Sequence, residues 1–182
     1  MKTKTFSIDG PVLIFPQVHG DDRGFFLESF KASQYKEFGI PELFKQDNHS
    51  KSNKNVLRGL HFQAPPMEQG KLVRVVKGSV LDVAVDIRKN SVTYGQHVSV
   101  TLTEKNHEIF WVPPGFAHGF LTLEDNTEFL YKVTNEYSKE TEGGILFNDP
   151  HLDINWGISE KDCILSEKDR VLPSFANFSN PF

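Results

Sequence analysis

The segment that most restricts the fold of this chain is Val80 to Arg88. Leu81, Val83, Val85 and Ile87 alternate there with Asp82, Ala84, Asp86 and Arg88. A period of two puts the first set on one face of an extended strand and the second set on the other. A helix would scatter both sets around its axis. The run Leu72-Val73-Arg74-Val75-Val76 precedes it through Lys77-Gly78-Ser79, so Lys71 to Arg88 is predicted to form a hairpin.

The same signals recur along the chain. Val12 to Phe15 and Gly24 to Phe30 read as strands around the turn His19-Gly20-Asp21-Asp22, and Val56 to Gln63 reads as a strand entered from Ser52-Asn53-Lys54-Asn55. Further strands are expected at His97 to Leu102, Glu108 to Val112, Gly119 to Leu123 and Glu128 to Val133. Helical signals are few. Ser33 to Gly39 carries a Ser N-cap and a Gly terminator, and Ser159-Glu160-Lys161-Asp162 and Ser166-Glu167-Lys168-Asp169 look like Ser-capped starts of short helices. Many short strands with helical pieces at the ends predict one antiparallel sandwich or barrel domain over residues 1–182. The pattern alone does not separate a jelly roll from an immunoglobulin-like sandwich.

Composition narrows the partners. The net charge of −4 argues against a nucleic-acid binder, which is usually basic. No apolar run has the length of a membrane span, and Met1 to Asp9 lacks the apolar core of a secretory signal. A single cysteine, Cys163, excludes an intrachain disulfide. Together these features point to the cytoplasm.

Two segments carry chemistry: Leu57-Arg58-Gly59-Leu60-His61-Phe62-Gln63, followed by Lys71 and Gly78, and Pro113-Pro114-Gly115-Phe116-Ala117-His118-Gly119-Phe120. They resemble the two motifs of the cupin superfamily, G-x5-H-x-H-x3,4-E-x6-G and G-x5-P-x-G-x2-H-x3-N. The second motif matches over Pro113, Gly115 and His118. The first matches at His61 and Gly78, but Gln63 stands where the family has its second His and Lys71 where it has Glu. Cupins hold a divalent metal with three His and one Glu. A protonated ammonium is no ligand, and two His seldom suffice for a tight site. No metal and no cofactor are expected here.

A more specific resemblance spans nearly the whole chain. Asp22-Arg23-Gly24-Phe25-Phe26-Leu27-Glu28, Gln46-Asp47-Asn48-His49-Ser50, the Leu57 to Gln63 segment, Lys71 to Val75, Gly78 to Arg88, Trp111 to Phe120, Tyr131, Tyr137 and Ser166 to Asp169 resemble the dTDP-4-dehydrorhamnose 3,5-epimerase family. The resemblance implies a mainly β, cupin-type antiparallel jelly-roll barrel with short peripheral and C-terminal helices. It also implies inversion of C3 and C5 of a nucleotide-linked 4-keto-6-deoxyhexose through an enolate. Such a reaction needs a base near neutral pKa, an acid across the ring and positive charge at the ketone oxygen.

His61 fits the base, since an imidazole titrates near pH ~6.5. The resemblance pairs it with Asp169 and makes Tyr131 the acid. Lys71, at the former metal position, is expected to point into the barrel and stabilise the enolate, with Asp82 as its resting partner. His118 is expected to hydrogen-bond the sugar. The resemblance implies Arg23 and Arg58 for the diphosphate, and Phe26, Glu28, Gln46 and Asn48 for nucleotide and sugar contacts; a guanidinium fork suits phosphate oxygens. Tyr137 is a candidate to stack on the pyrimidine. Strict alternation puts Arg58 and His61 on opposite faces of their strand, which conflicts with a shared site. In the family the N-terminal strands cross to a second subunit, which implies a homodimer in which Arg23, Phe26 and Glu28 serve the neighbour's site. Rival functions are a 3- or 5-mono-epimerase, a 3,4-ketoisomerase and a non-catalytic sugar-binding cupin.

Overall fold

The computed structural model describes residues 1–182. Two antiparallel sheets face each other. One has six strands in the order β1 (Lys2–Thr5), β2 (Val12–Phe15), β10 (Ile109–Val112), β7 (Lys71–Lys77), β12 (Thr127–Val133) and β5 (Gln46–Ser52). The other has five, in the order β13 (Glu142–Gly144), β6 (Leu57–Gln63), β11 (Phe116–Thr122), β8 (Ser79–Asp86) and β9 (His97–Thr103). A separate hairpin, β3 (Val18–Asp21) with β4 (Gly24–Leu27), pairs with neither sheet. Helix is confined to α1 (Ala32–Lys36), α2 (Glu167–Arg170) and one 3-10 turn at Glu160–Asp162. This is the mainly β, cupin-type jelly roll with sparse helix that the family resemblance implies.

Three apolar layers hold the sheets. Val73, Val75, Val80, Ala84, Val98, Val100, Phe110 and Phe129 pack between them. The outer face of the five-stranded sheet is covered by the C-terminal segment, where Ile145, Phe147, Trp156 and Phe178 meet Leu57, Val83, Val85 and Ile87. The outer face of the six-stranded sheet is covered by Tyr35 and Ile40, against Ile14, Leu72 and Trp111. The tail closes the second layer: Phe62 packs edge-on to both Phe178 and Phe182.

The expected alternation in β8 is present, with an informative sense. Leu81, Val83, Val85 and Ile87 face the outer layer. The inward face carries Asp82 and Asp86, both fully buried. Arg88, Ser91 and Thr93 all donate to Asp86, so that carboxylate is closed off. Asp82 is left for the other half of the barrel.

The hairpin expected over Lys71 to Arg88 does not form. β7 pairs with β10 and β12, whereas β8 pairs with β9 and β11. Gly78 has φ +77° and turns the chain from one sheet into the other. A tight glycine turn between two apolar runs reads the same in sequence whether it joins partners or bridges layers. Other boundaries move by a few residues. α1 begins after Lys31 with no side-chain cap, so Ser33 lies inside it. β4 ends at Leu27 rather than Phe30. Ser159 precedes its turn without a capping bond, but Ser166 accepts from the Asp169 amide as a true N-cap.

One irregularity decides the site. His61 pairs with His118 and Arg58 with Phe120, so Gly59 and Leu60 together oppose Gly119 alone. This β-bulge moves the alternation by one residue and brings Arg58 and His61 to the same inner face. Gly59 has φ +118°, and a Cβ there would lie 2.5 Å from the Gly119 Cα. Gly59→Ala is therefore expected to cost about 2–4 kcal/mol, from left-handed backbone strain plus a backbone clash. Urea unfolding checks this; a cost under ~1 kcal/mol would mean the bulge does not need glycine.

Candidate active site

The open half of the barrel holds a cavity of about 290 Å³ lined by Arg58, His61, Lys71, His118, Gly119, Phe120, Phe129, Tyr131, Ser166, Lys168 and Asp169. Five of the residues singled out from sequence for chemistry or sugar contact meet here: His61, Lys71, His118, Tyr131 and Asp169. Arg58 joins them. Each sheet contributes its share. His61 and His118 stand on adjacent strands β6 and β11, while Lys71 and Tyr131 stand on β7 and β12 of the opposing sheet.

His61 Nε2 and Asp169 Oδ1 are 2.5 Å apart. A carboxylate only accepts, so Nε2 carries the hydrogen, and in the neutral ring Nδ1 is the lone-pair nitrogen. Asp169 is buried, and burial alone would raise its pKa. Hydrogen bonds with His61 and Ser166 and the nearby charges of His61 and Lys168 outweigh this and hold it below the usual carboxylate range. Ser166 Oγ donates to Asp169 Oδ2 at 2.9 Å and accepts from the Asp169 amide at 3.1 Å. The cap that starts α2 thus also orients the carboxylate toward His61.

A second pair lies deeper. His118 Nε2 donates to Asp82 Oδ1 at 2.8 Å. Burial depresses the His118 pKa; Asp82 opposes this, and the charges of Lys71 and His61 add to it. His118 is accordingly neutral at neutral pH. Lys71 donates from Nζ to the His61 carbonyl at 3.3 Å. The expected direct pairing of Lys71 with Asp82 is replaced by the His118–Asp82 bond, because the His118 ring reaches Asp82 across neighbouring strands β11 and β8. Asp82 acts on Lys71 through space. Burial pulls the Lys71 pKa down to about 8, and the charges of Asp82 and Glu142 limit the fall. Tyr131 is pushed up by burial, with Arg58 opposing, so its phenol stays protonated.

The rim gathers others. Asn48 lies opposite Tyr131 in the β5–β12 register. Gln46 donates to Asn48 at 2.8 Å and accepts from the Tyr137 amide at 2.9 Å. Tyr137 is exposed and donates from its hydroxyl to Glu142 at 3.0 Å. Lys168 pairs with the same Glu142 carboxylate. Arg58 bonds Ser52 Oγ at 3.1 Å.

Arg23, Phe26 and Glu28 do not reach this cavity. They lie on or beside the β3–β4 hairpin, where Arg23 pairs with Asp21 and Glu28 with Lys31, and Phe26 is 66% exposed. Ser166, Lys168, Glu142, Phe120 and Phe129 were missed as site residues from sequence. The first was read only as a cap. Gln63, in a former metal-ligand position, accepts from the Ser138 amide and from Thr141 Oγ1, and so anchors the rim loop. No group of three or more His, Cys, Asp or Glu side chains is arranged to hold a metal ion.

Comparison with known proteins identifies the family and agrees with the fold. The family model for dTDP-4-dehydrorhamnose 3,5-epimerase matches residues 5–177. The dTDP-4-dehydrorhamnose 3,5-epimerase of Salmonella typhimurium is 52% identical over 168 residues, covering 92% of this chain and 91% of that protein. The crystal structure of the Elizabethkingia anophelis enzyme of that name superposes with TM-score 0.94 at 45% identity, over 99% of this chain and 98% of that one. A Legionella pneumophila epimerase solved with dTDP-4-keto-L-rhamnose gives TM-score 0.93 at 47% identity, over 97% and 93% of the two chains.

Removing the Ser166 hydroxyl tests the cap. Ser166→Ala is expected to lose about 1 kcal/mol of stability, and Ser166→Thr to keep most of it. Denaturant midpoints of the three proteins check this; an unchanged midpoint for the alanine variant would show that the cap contributes nothing.

Proposed function

The chain belongs to the dTDP-4-dehydrorhamnose 3,5-epimerase family, and from that premise we propose how its own residues perform the family's reaction. It is an isomerase that inverts C3 and C5 of dTDP-4-dehydro-6-deoxy-D-glucose to give dTDP-4-dehydro-L-rhamnose. One observation carries the assignment of roles: His61 and Tyr131 line one cavity from opposing sheets, with the Lys71 ammonium beside them. Inversion requires a proton to leave one face of the ring and return to the other.

His61 Nδ1 takes the α-proton, and Asp169 stabilises the imidazolium through Nε2. Electron density moves onto the C4 oxygen, where the Lys71 ammonium meets it, while His118, whose Nε2–H is held by Asp82, accepts from a sugar hydroxyl through Nδ1. Tyr131 gives a proton to the opposite face. The same groups serve C3 and C5, because both carbons flank one ketone; between the two inversions His61 gives its proton to water and Tyr131 regains one from water. Arg58 holds the diphosphate, Gln46 and Asn48 contact the nucleotide and sugar, and Tyr137 stacks on the base. Arg23, Phe26 and Glu28 of a second copy complete the site. The detached hairpin, with Phe25 and Phe26 both exposed, supports a homodimer, since unpaired strand edges and exposed apolar rings favour a partner. No helix is long and apolar enough to cross a membrane, which fits the cytoplasmic placement we adopt.

Proton NMR of the substrate in D2O tests the reading. Deuterium is expected at both C3 and C5; exchange at one carbon would make the protein a mono-epimerase, and a moved ketone an isomerase of another kind. His61→Ala should lower the rate by about 10³-fold or more, within the range for loss of a general base. Tyr131→Phe should retain exchange but lose inverted product. Lys71→Met should cost about 3 kcal/mol in barrier, the scale of one lost oxyanion donor. A near-normal rate in any of these would remove that residue from its role. The charged form of Lys71 is the useful one and its pKa lies at about 8. Below that pH the ammonium is present and the rate is sustained; above it the proton is lost and the rate falls. An alkaline limb that stays at the same pH in Lys71→Arg would sink this.

A further inference from the structure

The cavity is polar on nearly every side. Arg58, His61, Lys71, His118, Ser166, Lys168 and Asp169 all line it, and its apolar wall is built from Phe120 and Phe129 beside the Tyr131 ring. Both phenylalanines are buried, and their rings stack at 4.2 Å between centroids with 22° between planes. Phe120 stands opposite Arg58 on β11, and Phe129 shares the inner face of β12 with Tyr131. Tyr131 lies 6.0 Å from Phe129, centroid to centroid. Packing alone accounts for burying these rings. It does not account for placing them as the apolar wall of a cavity otherwise built of ions and hydrogen-bonding groups.

A 4-keto-6-deoxyhexose has one apolar substituent. C2 and C3 carry hydroxyls, C4 a ketone, C1 the diphosphate ester, and C5 the C6 methyl. The polar groups find partners on the other walls, and a methyl group gains by leaving water for an aromatic surface. We propose that the stacked pair Phe120 and Phe129 is the seat of the C6 methyl and sets the preference of the enzyme for 6-deoxy sugars over sugars with a C6 hydroxyl. This rests on the epimerase reading above and adds a specificity element to it. A C6 hydroxyl placed against the two rings loses water without finding a partner. An apolar pocket rejects an added hydroxyl only moderately, by up to ~10²-fold. Seating the methyl also fixes C5, which bears it, and so determines which face of C5 is turned toward His61.

The test compares two substrates on each of four proteins. The substrates are dTDP-4-dehydro-6-deoxyglucose and dTDP-4-dehydroglucose, which differ only by the C6 hydroxyl. The readout is the ratio of kcat/KM for deuterium incorporation from D2O. The wild-type ratio is expected to be roughly 10–100 in favour of the 6-deoxy sugar. Phe120→Tyr and Phe129→Tyr each place a phenol at this wall, and at least one should bring the ratio to about 3 or less. Phe120→Leu should keep the preference, since the wall stays apolar. A general folding defect lowers both rates together and leaves the ratio intact, so a partly misfolded variant still reports. A wild-type ratio near one overturns the proposal. So does a high ratio that neither tyrosine variant moves. Failure of the epimerase reading is distinct: no incorporation from either substrate into the wild-type protein.

Discussion

The structure depends on keeping an ammonium inside a β-barrel. Lys71 is on a central strand of the six-stranded sheet and only 9% exposed. Such a charge is tolerable only with opposing charge and hydrogen bonds close by. Asp82 supplies the first from the facing sheet and the His61 carbonyl supplies the second. The barrel is therefore divided. Valines, Phe110 and Phe129 fill the space between the sheets, while the open half is lined by charged and hydrogen-bonding groups. The apolar faces displaced from the interior turn outward, and both sheets need covering layers. That is why the C-terminal segment and the Tyr35 region wrap the outside.

Much of this was legible from residues. Alternation from Leu81 to Arg88 gave the strand and its two faces, because a period of two has no competing reading over that length. The substitutions Gln63 and Lys71 within an otherwise cupin-like motif pointed to a site of a different chemistry. His61, Lys71, His118, Tyr131 and Asp169 do meet in one cavity. Asp169 could be placed beside His61 only by resemblance, since 108 residues separate them.

What was not legible has identifiable causes. β5 was missed because Gln46 to Ser52 is polar throughout; it is an edge strand whose alternate side chains are only half-buried. The Lys71 to Arg88 hairpin was wrong because local sequence states a turn but not which sheet each arm joins. The conflict between Arg58 and His61 came from assuming an unbroken strand. Gly59 was the one visible signal of the bulge, as a glycine inside a strand often is. Phe120 and Phe129 were lost among sixteen phenylalanines, most of which need no explanation beyond packing.

The two-sheet architecture also explains why this fold suits inversion. A base and an acid on one strand, or on neighbouring strands, would approach a flat enolate from the same side and return the proton where it came from. Here His61 and His118 lie on the five-stranded sheet, and Tyr131 and Lys71 on the six-stranded one. A sugar ring held between the sheets presents one face to each. On the roles proposed above, the stereochemical outcome is decided before any side chain is tuned, by which sheet carries the base and which the acid. The remaining task is to stop the ring from turning over. On the same proposals, its diphosphate at Arg58 and its methyl at the phenylalanine wall are two anchors of opposite chemistry, and a ring held by both has only one orientation between the sheets.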